Sequence, residues 1–266
     1  MAETSTVPRK RRPAPRRAEA AAPALPEPFA GWFAARSWTP RPHQLALVEA
    51  AEARRSTLLI APTGAGKTLA GFLPSLVSLS ERRRPKRGSG LHTLYISPLK
   101  ALAVDVARNV TTPIAEMGLK IRTETRTGDT SVARRQRQRI KPPHILMTTP
   151  EQLALLLSHP DCGHLFADLD TVILDELHAL APSKRGDLLA LDLARLRTLA
   201  PDLMMIGLSA TVAYPSELRA YLQPQRAPES WLELSVLVRV AGGAQPDIDI
   251  LELDEFVPWA SHTTRY

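Results

Sequence analysis

The chain has 266 residues, of which 44% are hydrophobic and 23% charged, and this composition is typical of a globular protein with a sizeable core. A single cysteine, Cys162, excludes an internal disulfide framework and favours a reducing compartment. No apolar run reaches the roughly 18 residues of a membrane span, and the N-terminus has no continuous apolar core. We therefore expect a cytoplasmic protein without membrane contact.

The net charge of +7 is unevenly distributed along the chain. Basic residues concentrate in three stretches, 1–28, 81–87 and 134–141. Such stretches attract polyphosphate backbones, although most charge runs are solvated faces. We favour the solvated interpretation for 1–28 and leave both interpretations open for the other two.

Residues 1–28 are rich in Pro, Ala and Arg and have little to bury, so they predict a disordered basic tail. Beyond them, short apolar runs alternate with helical patterns. Strands are predicted at 57–60, 94–96, 145–147, 171–174, 203–208, 231–240 and 248–253. Helices are predicted from residue 42, after the loop at 61–68, near 99–109, from residue 150, and at 187–199 and 215–222. The alternation predicts an α/β fold, in which a mostly parallel sheet carries helices on both faces.

The most informative motif is the loop Ala61–Thr68, which joins the first predicted strand to a helix. Its backbone N–H groups and the helix N-terminus form a cradle for phosphates, and Lys67 adds a full positive charge. The Thr68 hydroxyl is suited to hold Mg²⁺. We expect nucleotide contacts from six loop residues: Thr63, Gly64, Ala65, Gly66, Lys67 and Thr68. The alternative is a glycine-containing turn that binds nothing.

Two adjacent carboxylates, Asp175 and Glu176, directly follow the predicted strand 171–174. Ligands of parallel sheets bind at the carboxyl ends of strands, where the phosphate loop also lies. Asp175 is therefore a candidate to hold Mg²⁺ through water, and Glu176 to polarise the water that attacks a γ-phosphate. Helix capping would account for one carboxylate but not for the pair.

The tripeptide Ser209-Ala210-Thr211 follows the predicted strand 203–208 in the same way. Small hydroxyl residues beside a carboxylate pair are suited to relay a change at the γ-phosphate to another surface. A plain turn explains the tripeptide equally well.

In this order on alternating strands and helices, Ala-x-Thr-Gly-x-Gly-Lys-Thr, Asp-Glu-Leu-His and Ser-Ala-Thr resemble the first RecA-like lobe of superfamily 2 DEAD/DEAH-box helicases. Further segments are similar to motifs of that superfamily: Arg41-Pro42-His43-Gln44, Ser97-Pro98-Leu99-Lys100-Ala101-Leu102, Thr127-Gly128-Asp129-Thr130 and Thr148-Thr149-Pro150-Glu151. With Ser183-Lys184-Arg185-Gly186-Asp187, the likeness is greatest to the large helicase-related (Lhr) family and its ligase-associated DEXH-box branch. It covers about residues 29–266.

The resemblance implies an ATP-dependent helicase that couples ATP hydrolysis to single-strand binding in DNA repair, with DNA ligase or nuclease partners. Gln44 would contact adenine with help from Arg41, while Lys67 and Thr68 would hold phosphates and Mg²⁺. Asp175 would coordinate Mg²⁺, and Glu176 would activate water. Three residues would couple hydrolysis to strand binding: His178, Ser209 and Thr211. Five would lie along the phosphates of single-stranded DNA or RNA: Pro98, Lys100, Gly128, Thr149 and Pro150.

The resemblance divides the chain into the tail 1–28, a RecA-like ATP-binding lobe at 29–228, and residues 229–266 as a linker and the first strands of a truncated second lobe. Because the second lobe supplies arginines to the nucleotide, we expect slow hydrolysis by this chain alone. Two alternatives stay open. One is a nucleotide-dependent nucleic-acid-binding module without efficient turnover. The other is a different P-loop protein, such as a kinase or transporter ATPase, which the Gln44 motif and the Asp-Glu-Leu-His quartet disfavour.

Overall fold

The computed structural model describes residues 25–81, 90–210, 212–224 and 235–242. The strands in these ranges are β1 (Thr57–Ile60), β2 (Thr93–Ile96), β3 (Thr123–Arg126), β4 (Ile145–Thr148), β5 (Thr171–Leu174), β6 (Met204–Ser209) and β7 (Val236–Arg239). The helices are α1 (Phe29–Ala35), α2 (Pro42–Glu52), α3 (Lys67–Glu81), α4 (Lys100–Glu116), α5 (Val132–Ile140), α6 (Pro150–Leu157), α7 (Cys162–Phe166), α8 (Leu177–Leu180), α9 (Lys184–Leu199) and α10 (Pro215–Tyr221).

The seven strands form one parallel sheet in the order β3-β4-β2-β5-β6-β1-β7. Every residue of β1, β2, β4, β5 and β6 is buried. Continuous burial of this kind is expected where helices cover both faces of a parallel sheet. The predicted α/β architecture is confirmed.

Successive side chains of each strand enter two different cores. In β1, Leu58 and Ile60 belong to one core and Leu59 belongs to the other. The first core includes residues of α6 to α10, and the second includes residues of α1 to α4. With both faces covered, the open positions for ligands are the edges where strands end. In the described part of the chain, no helix is both long and apolar enough to cross a membrane.

The strand β3 and the helix α5 were not predicted, and their composition explains why. The β3 sequence Thr-Glu-Thr-Arg contains no apolar residue, and three of its four residues are only partly buried. The α5 sequence contains four arginines and buries Gln138. Edge elements of this kind are held by hydrogen bonds and ion pairs, which hydrophobic patterning does not detect.

The strand predicted at 231–240 is observed as β7, but it pairs with a strand of the first lobe. It was expected to open a second lobe, but β7 pairs in parallel with β1 and forms the edge of the same sheet. The structure therefore places β7 in the same sheet as β1, although the sequence places a domain boundary before it, at residue 229. Its pairing satisfies backbone groups that β1 would otherwise expose. The predicted strand at 248–253 lies outside the described residues, as do residues 1–24. Leu25, which the sequence assigned to the tail, is buried.

Close packing between α8 and α9 depends on Gly186. A Cβ at this position would lie 2.3 Å from the Leu180 carbonyl oxygen and 2.6 Å from that of Ala181. Because these obstacles are backbone atoms, Gly186→Ala would push α9 away from α8. We expect this variant to lose about 1–3 kcal/mol of unfolding free energy, measured by urea titration. Gly163→Ala is the matched control because its Cβ meets nothing within 4 Å. Equal losses in the two variants would contradict this prediction.

Candidate functional site

The loop after β1 has a backbone that suits phosphate binding. Gly64 and Gly66 have φ angles of 78° and 75°, a left-handed conformation that glycine adopts at little cost. The Ala70 N–H donates to the Gly66 carbonyl at 3.1 Å, so helical bonding starts immediately after the loop. N–H groups in the first turn of a helix have no partner within the helix and carry partial positive charge. The loop and the start of α3 therefore form an anion-binding cradle.

Lys67 lies inside this cradle as the first residue of α3. Its Nζ donates to the carbonyl oxygens of Ala61 at 2.9 Å and Pro62 at 3.3 Å. These bonds use two of the three donors of the ammonium group. The positive charge is thus held against the loop, at the point where a phosphate would enter.

The N-terminus of α2 braces the loop from a second side. Arg41 Nη1 donates to the Gly64 carbonyl at 3.3 Å, and Gln44 Oε1 accepts from the Arg41 backbone N–H at 2.8 Å. The imidazole of His43 bonds the Ala65 carbonyl through Nε2 at 3.0 Å. Because a carbonyl only accepts, Nε2 carries the proton. The structure thus brings Arg41 and Gln44 to the loop. It also brings His43 there, a residue of the same motif for which no role was predicted.

Burial lowers the pKa of His43 from its ordinary value of 6.5, more than its bond to Ala65 raises it. Below pH 6.5 the unfolded chain therefore binds a proton that the folded chain resists, so folding stability decreases as the pH is lowered. We expect His43→Gln, which keeps a donor, to lose less stability between pH 7.5 and pH 5.5 than the wild-type chain. Urea unfolding at both values measures this. An equal loss of unfolding free energy in both proteins between the two pH values would contradict this prediction.

The acidic pair lies at the carboxyl end of β5, in two different environments. Asp175 is buried; its Oδ1 accepts from the Glu176 N–H at 2.9 Å and its Oδ2 accepts from the Tyr95 hydroxyl. Burial, with the nearby Asp175 carboxylate, raises the pKa of Tyr95, so this phenol stays protonated and donates. Tyr95 stacks on Phe72 of α3, with ring centroids 5.2 Å apart. Asp175 is thereby linked to the helix that follows the phosphate loop.

Glu176 has a left-handed backbone, with φ 49° and ψ 41°, which is unusual for a residue with a side chain. About a third of its side chain is exposed, at 35%. Strained positions of this kind concentrate at functional sites. The turn thus leaves the Asp175 carboxylate buried and the Glu176 carboxylate at the surface, both at the end of β5.

His178 connects the acidic pair to the end of β6. Its Nε2 lies 3.5 Å from Glu176 Oε2, and its Nδ1 accepts from the Ala210 N–H at 3.4 Å. Ser209 is buried, and its hydroxyl donates to the Ala210 carbonyl at 2.9 Å. The structure therefore brings together His178 and Ser209, two of the three predicted coupling residues. Thr211 lies outside the described residues.

The strand register places the phosphate loop and the acidic pair at one edge. Ile60 pairs with Ser209, and Leu174 pairs with Gly207, so β6 alone separates the end of β1 from the end of β5. Two strand spacings correspond to about 10 Å. A polyphosphate with its bound water fits between the two motifs at that separation.

The five predicted strand-contacting residues lie on the other half of the same edge. Pro98 and Lys100 follow β2, Gly128 follows β3, and Thr149 and Pro150 follow β4, three neighbouring strands. Pro98 and Gly128 are at least partly exposed, whereas Thr149 and Pro150 are buried. Contact of Thr149 and Pro150 with a strand would therefore involve their backbone rather than their side chains.

The basic stretch 134–141 forms most of α5 and is partly neutralised by acidic partners. Glu124 Oε2 lies 3.2 Å from Arg134 and 2.8 Å from Arg137, and Arg139 pairs with Asp161 at 2.8 Å. Arg135 instead donates through Nη2 to the carbonyl oxygens of Thr127 and Gly128. The stretch is therefore in part a solvated, internally paired face. The basic stretch at 82–87 lies outside the described residues.

A phosphate loop after β1, an acidic pair after β5 and a hydroxyl residue ending the strand between them define a P-loop domain of the RecA-like kind. Comparison with protein families agrees with this class. The DEAD/DEAH box helicase family model matches residues 41–219, and the chain belongs to this family.

Two relatives with more than 40% identity are Lhr proteins. The ATP-dependent helicase Lhr-Core protein 2 of Thermococcus barophilus is 41% identical over 199 residues, which are 71% of this chain and 23% of the relative. The Lhr helicase/probable uracil glycosylase of Mycolicibacterium smegmatis is 42% identical over 206 residues, 73% of this chain and 14% of the relative. The chain thus spans about a quarter or less of these relatives.

Solved structures show the same likeness. The structure of Mycobacterium smegmatis helicase Lhr bound to ssDNA and AMP-PNP superposes with a TM-score of 0.69 at 38% identity. The match covers 81% of this chain and 27% of that one. The RecA-like lobe expected from the sequence is confirmed by this superposition.

Proposed function

We propose that this chain is the ATP-binding lobe of an ATP-dependent DNA helicase or translocase, which couples ATP hydrolysis to binding of a single strand. One observation carries the proposal: the phosphate loop and the acidic pair lie on one half of a sheet edge, and the predicted strand-contacting loops lie on the other half. The related Lhr of Mycobacterium smegmatis was solved with ssDNA and AMP-PNP together, which supports both ligands.

In this proposal the loop residues 63–68 bind the triphosphate of ATP. The cradle supplies N–H donors, and Lys67 exchanges carbonyl bonds for phosphate oxygens, which are stronger acceptors because they are charged. Gln44 contacts the adenine, and Arg41 and His43 keep the loop in shape through their bonds to Gly64 and Ala65.

The residues present also fit Mg²⁺. This ion takes one or two protein oxygens together with phosphate oxygens and waters. Thr68 and Asp175 supply such oxygens, and each Asp175 oxygen has a lone pair beyond its bond to Glu176 or Tyr95. Across the described residues no group of three or more His, Cys, Asp or Glu side chains could hold a metal by itself. When bound, Mg²⁺ would neutralise charge on the β- and γ-phosphates.

Glu176 acts as the base in this mechanism. Its partly exposed carboxylate accepts a proton from the water that attacks the γ-phosphorus, as the bond from that phosphorus to the bridging β-phosphate oxygen breaks and ADP leaves. Asp175 stays fixed by its two hydrogen bonds. His178 contacts the Glu176 carboxylate through Nε2 and the Ala210 N–H through Nδ1, so a change of charge at Glu176 reaches Ala210 through this side chain. A change at the γ-phosphate therefore has a direct route to the end of β6.

Several finer assignments follow from the likeness to Lhr proteins and are proposals as well. They are membership of the ligase-associated DEXH-box branch, a role in DNA repair, partners such as a DNA ligase or nuclease, and a second lobe beginning after β7. The cytoplasmic location stays a prediction.

The test is ATP hydrolysis by this chain with and without single-stranded oligothymidylate, followed as phosphate release. We expect the oligonucleotide to raise the rate and an equal mass of polyglutamate to leave it unchanged. Binding of ATP without hydrolysis under either condition would instead favour a nucleotide-dependent binding module.

A further inference from the structure

The segment Ser183–Asp187, which the mechanism above does not use, is attached rigidly to the acidic pair. Glu176 is the N-cap of α8, a helix of a single turn that ends at Leu180. Ser183 Oγ donates to the Leu180 carbonyl at 2.7 Å and accepts from the Gly186 N–H at 3.1 Å. Gly186 has no room for a side chain against α8. Any movement of α8 must therefore carry the start of α9 with it.

Arg185, in the first turn of α9, reaches across to the first turn of α6. Its Nε lies 2.5 Å from Glu151 Oε1 and its Nη2 lies 3.1 Å from Glu151 Oε2. Two parallel N–H···O bonds fix orientation as well as distance, which a lysine could not do. The Arg185 bonds lower the pKa of Glu151, so the pair is fully charged at neutral pH.

Glu151 directly follows the turn Thr149–Pro150, where the chain leaves β4 toward the predicted strand. Thr149 is the N-cap of α6, and Pro150 is its first residue. The side chains of Arg185 and Glu151 are 40% and 49% exposed. Ion pairs this exposed contribute little to folding stability, so reversing either charge should leave the fold intact.

We propose that the Arg185–Glu151 pair is the positioning link between the nucleotide half and the strand half of the sheet edge. It joins α8, capped by Glu176, to the turn Thr149–Pro150 through one bidentate contact. The link rests on the proposed function, since it has a role only where nucleotide and strand bind to the same lobe. Arg185 and Glu151 act through their neighbours and are positioning residues.

The test measures thermodynamic coupling rather than turnover. Anisotropy of a labelled oligothymidylate gives its affinity for the chain with and without AMP-PNP, and the ratio of the two is the coupling. We expect AMP-PNP to change the wild-type affinity by about fivefold or more. Arg185→Glu and Glu151→Arg should each bring the ratio near one, and the double exchange should restore most of it.

Two controls separate the link from charge and folding effects. Arg55→Glu makes the same charge change on an exposed arginine just before β1, where the strands begin, and should keep the wild-type ratio. Arg185→Lys keeps the charge without the bidentate geometry and should give an intermediate ratio. Thermal melts identify variants that fail to fold, and in that event the lysine variant and the double exchange decide the result.

The outcomes are distinct. A wild-type ratio of one would overturn the proposed function and the link with it. Wild-type coupling that survives both single reversals would overturn the link and leave the proposed function standing. Loss of affinity by the same factor with and without AMP-PNP would make Arg185 a simple strand contact and would also overturn the link.

Discussion

Glu176→Gln is expected to lower the rate of ATP hydrolysis by about 10²–10⁴-fold, the usual contribution of a general base. The carboxylate is partly exposed at the end of β5, where a water can reach it, whereas Asp175 is buried and doubly hydrogen-bonded. Glutamine has the same shape but cannot take a proton from water. Single-turnover hydrolysis of labelled ATP measures the effect even where the wild-type rate is low.

ATP binding by the same variant should be unchanged or tighter, because the substitution removes a negative charge near the γ-phosphate. The amide oxygen of glutamine can still accept from His178 Nε2, so the contact to β6 is kept. Glu217→Gln, an exposed position on α10, is the matched control and should hydrolyse ATP at the wild-type rate. Turnover retained by Glu176→Gln would remove Glu176 from the role of base.

The sequence predicted those parts of the site whose functional groups lie within a few consecutive residues. A glycine loop after an apolar run and two carboxylates after another are each contained in a few residues, and their meeting follows from the rule that parallel strands end at one edge. Gln44 could be placed only through the family resemblance. The structure then brings it to the loop through the start of α2.

Contacts that depend on strand order could not be predicted. Tyr95 reaches Asp175 because β2 pairs with β5, although many residues separate them along the chain. Nothing in the sequence states that pairing. The same holds for β7, whose apolar residues suit any sheet edge and whose pairing with β1 only the fold specifies. Arg185 and Glu151 are likewise ordinary surface residues until α6 and α9 are packed together.

Lys67→Ala is expected to weaken ATP binding by about 10- to 100-fold, since charge-assisted hydrogen bonds contribute about 1.5–3 kcal/mol. Isothermal titration with ATP measures the affinity. Lys120→Ala, an exposed lysine after α4, removes the same charge and is the control.

The same variant tests whether the cradle or the lysine dominates binding. Ligand stabilisation grows with the logarithm of ligand concentration over Kd, so the rise in melting temperature with ATP should shrink in Lys67→Ala and persist in Lys120→Ala. Without ATP the two variants should melt alike, because the Lys67 bonds to Ala61 and Pro62 are only partly buried. Wild-type affinity in Lys67→Ala would mean that the N–H groups of the loop and α3 hold the phosphates unaided. In that case the positive charge of Lys67 would contribute to the stability of the loop and not to nucleotide binding.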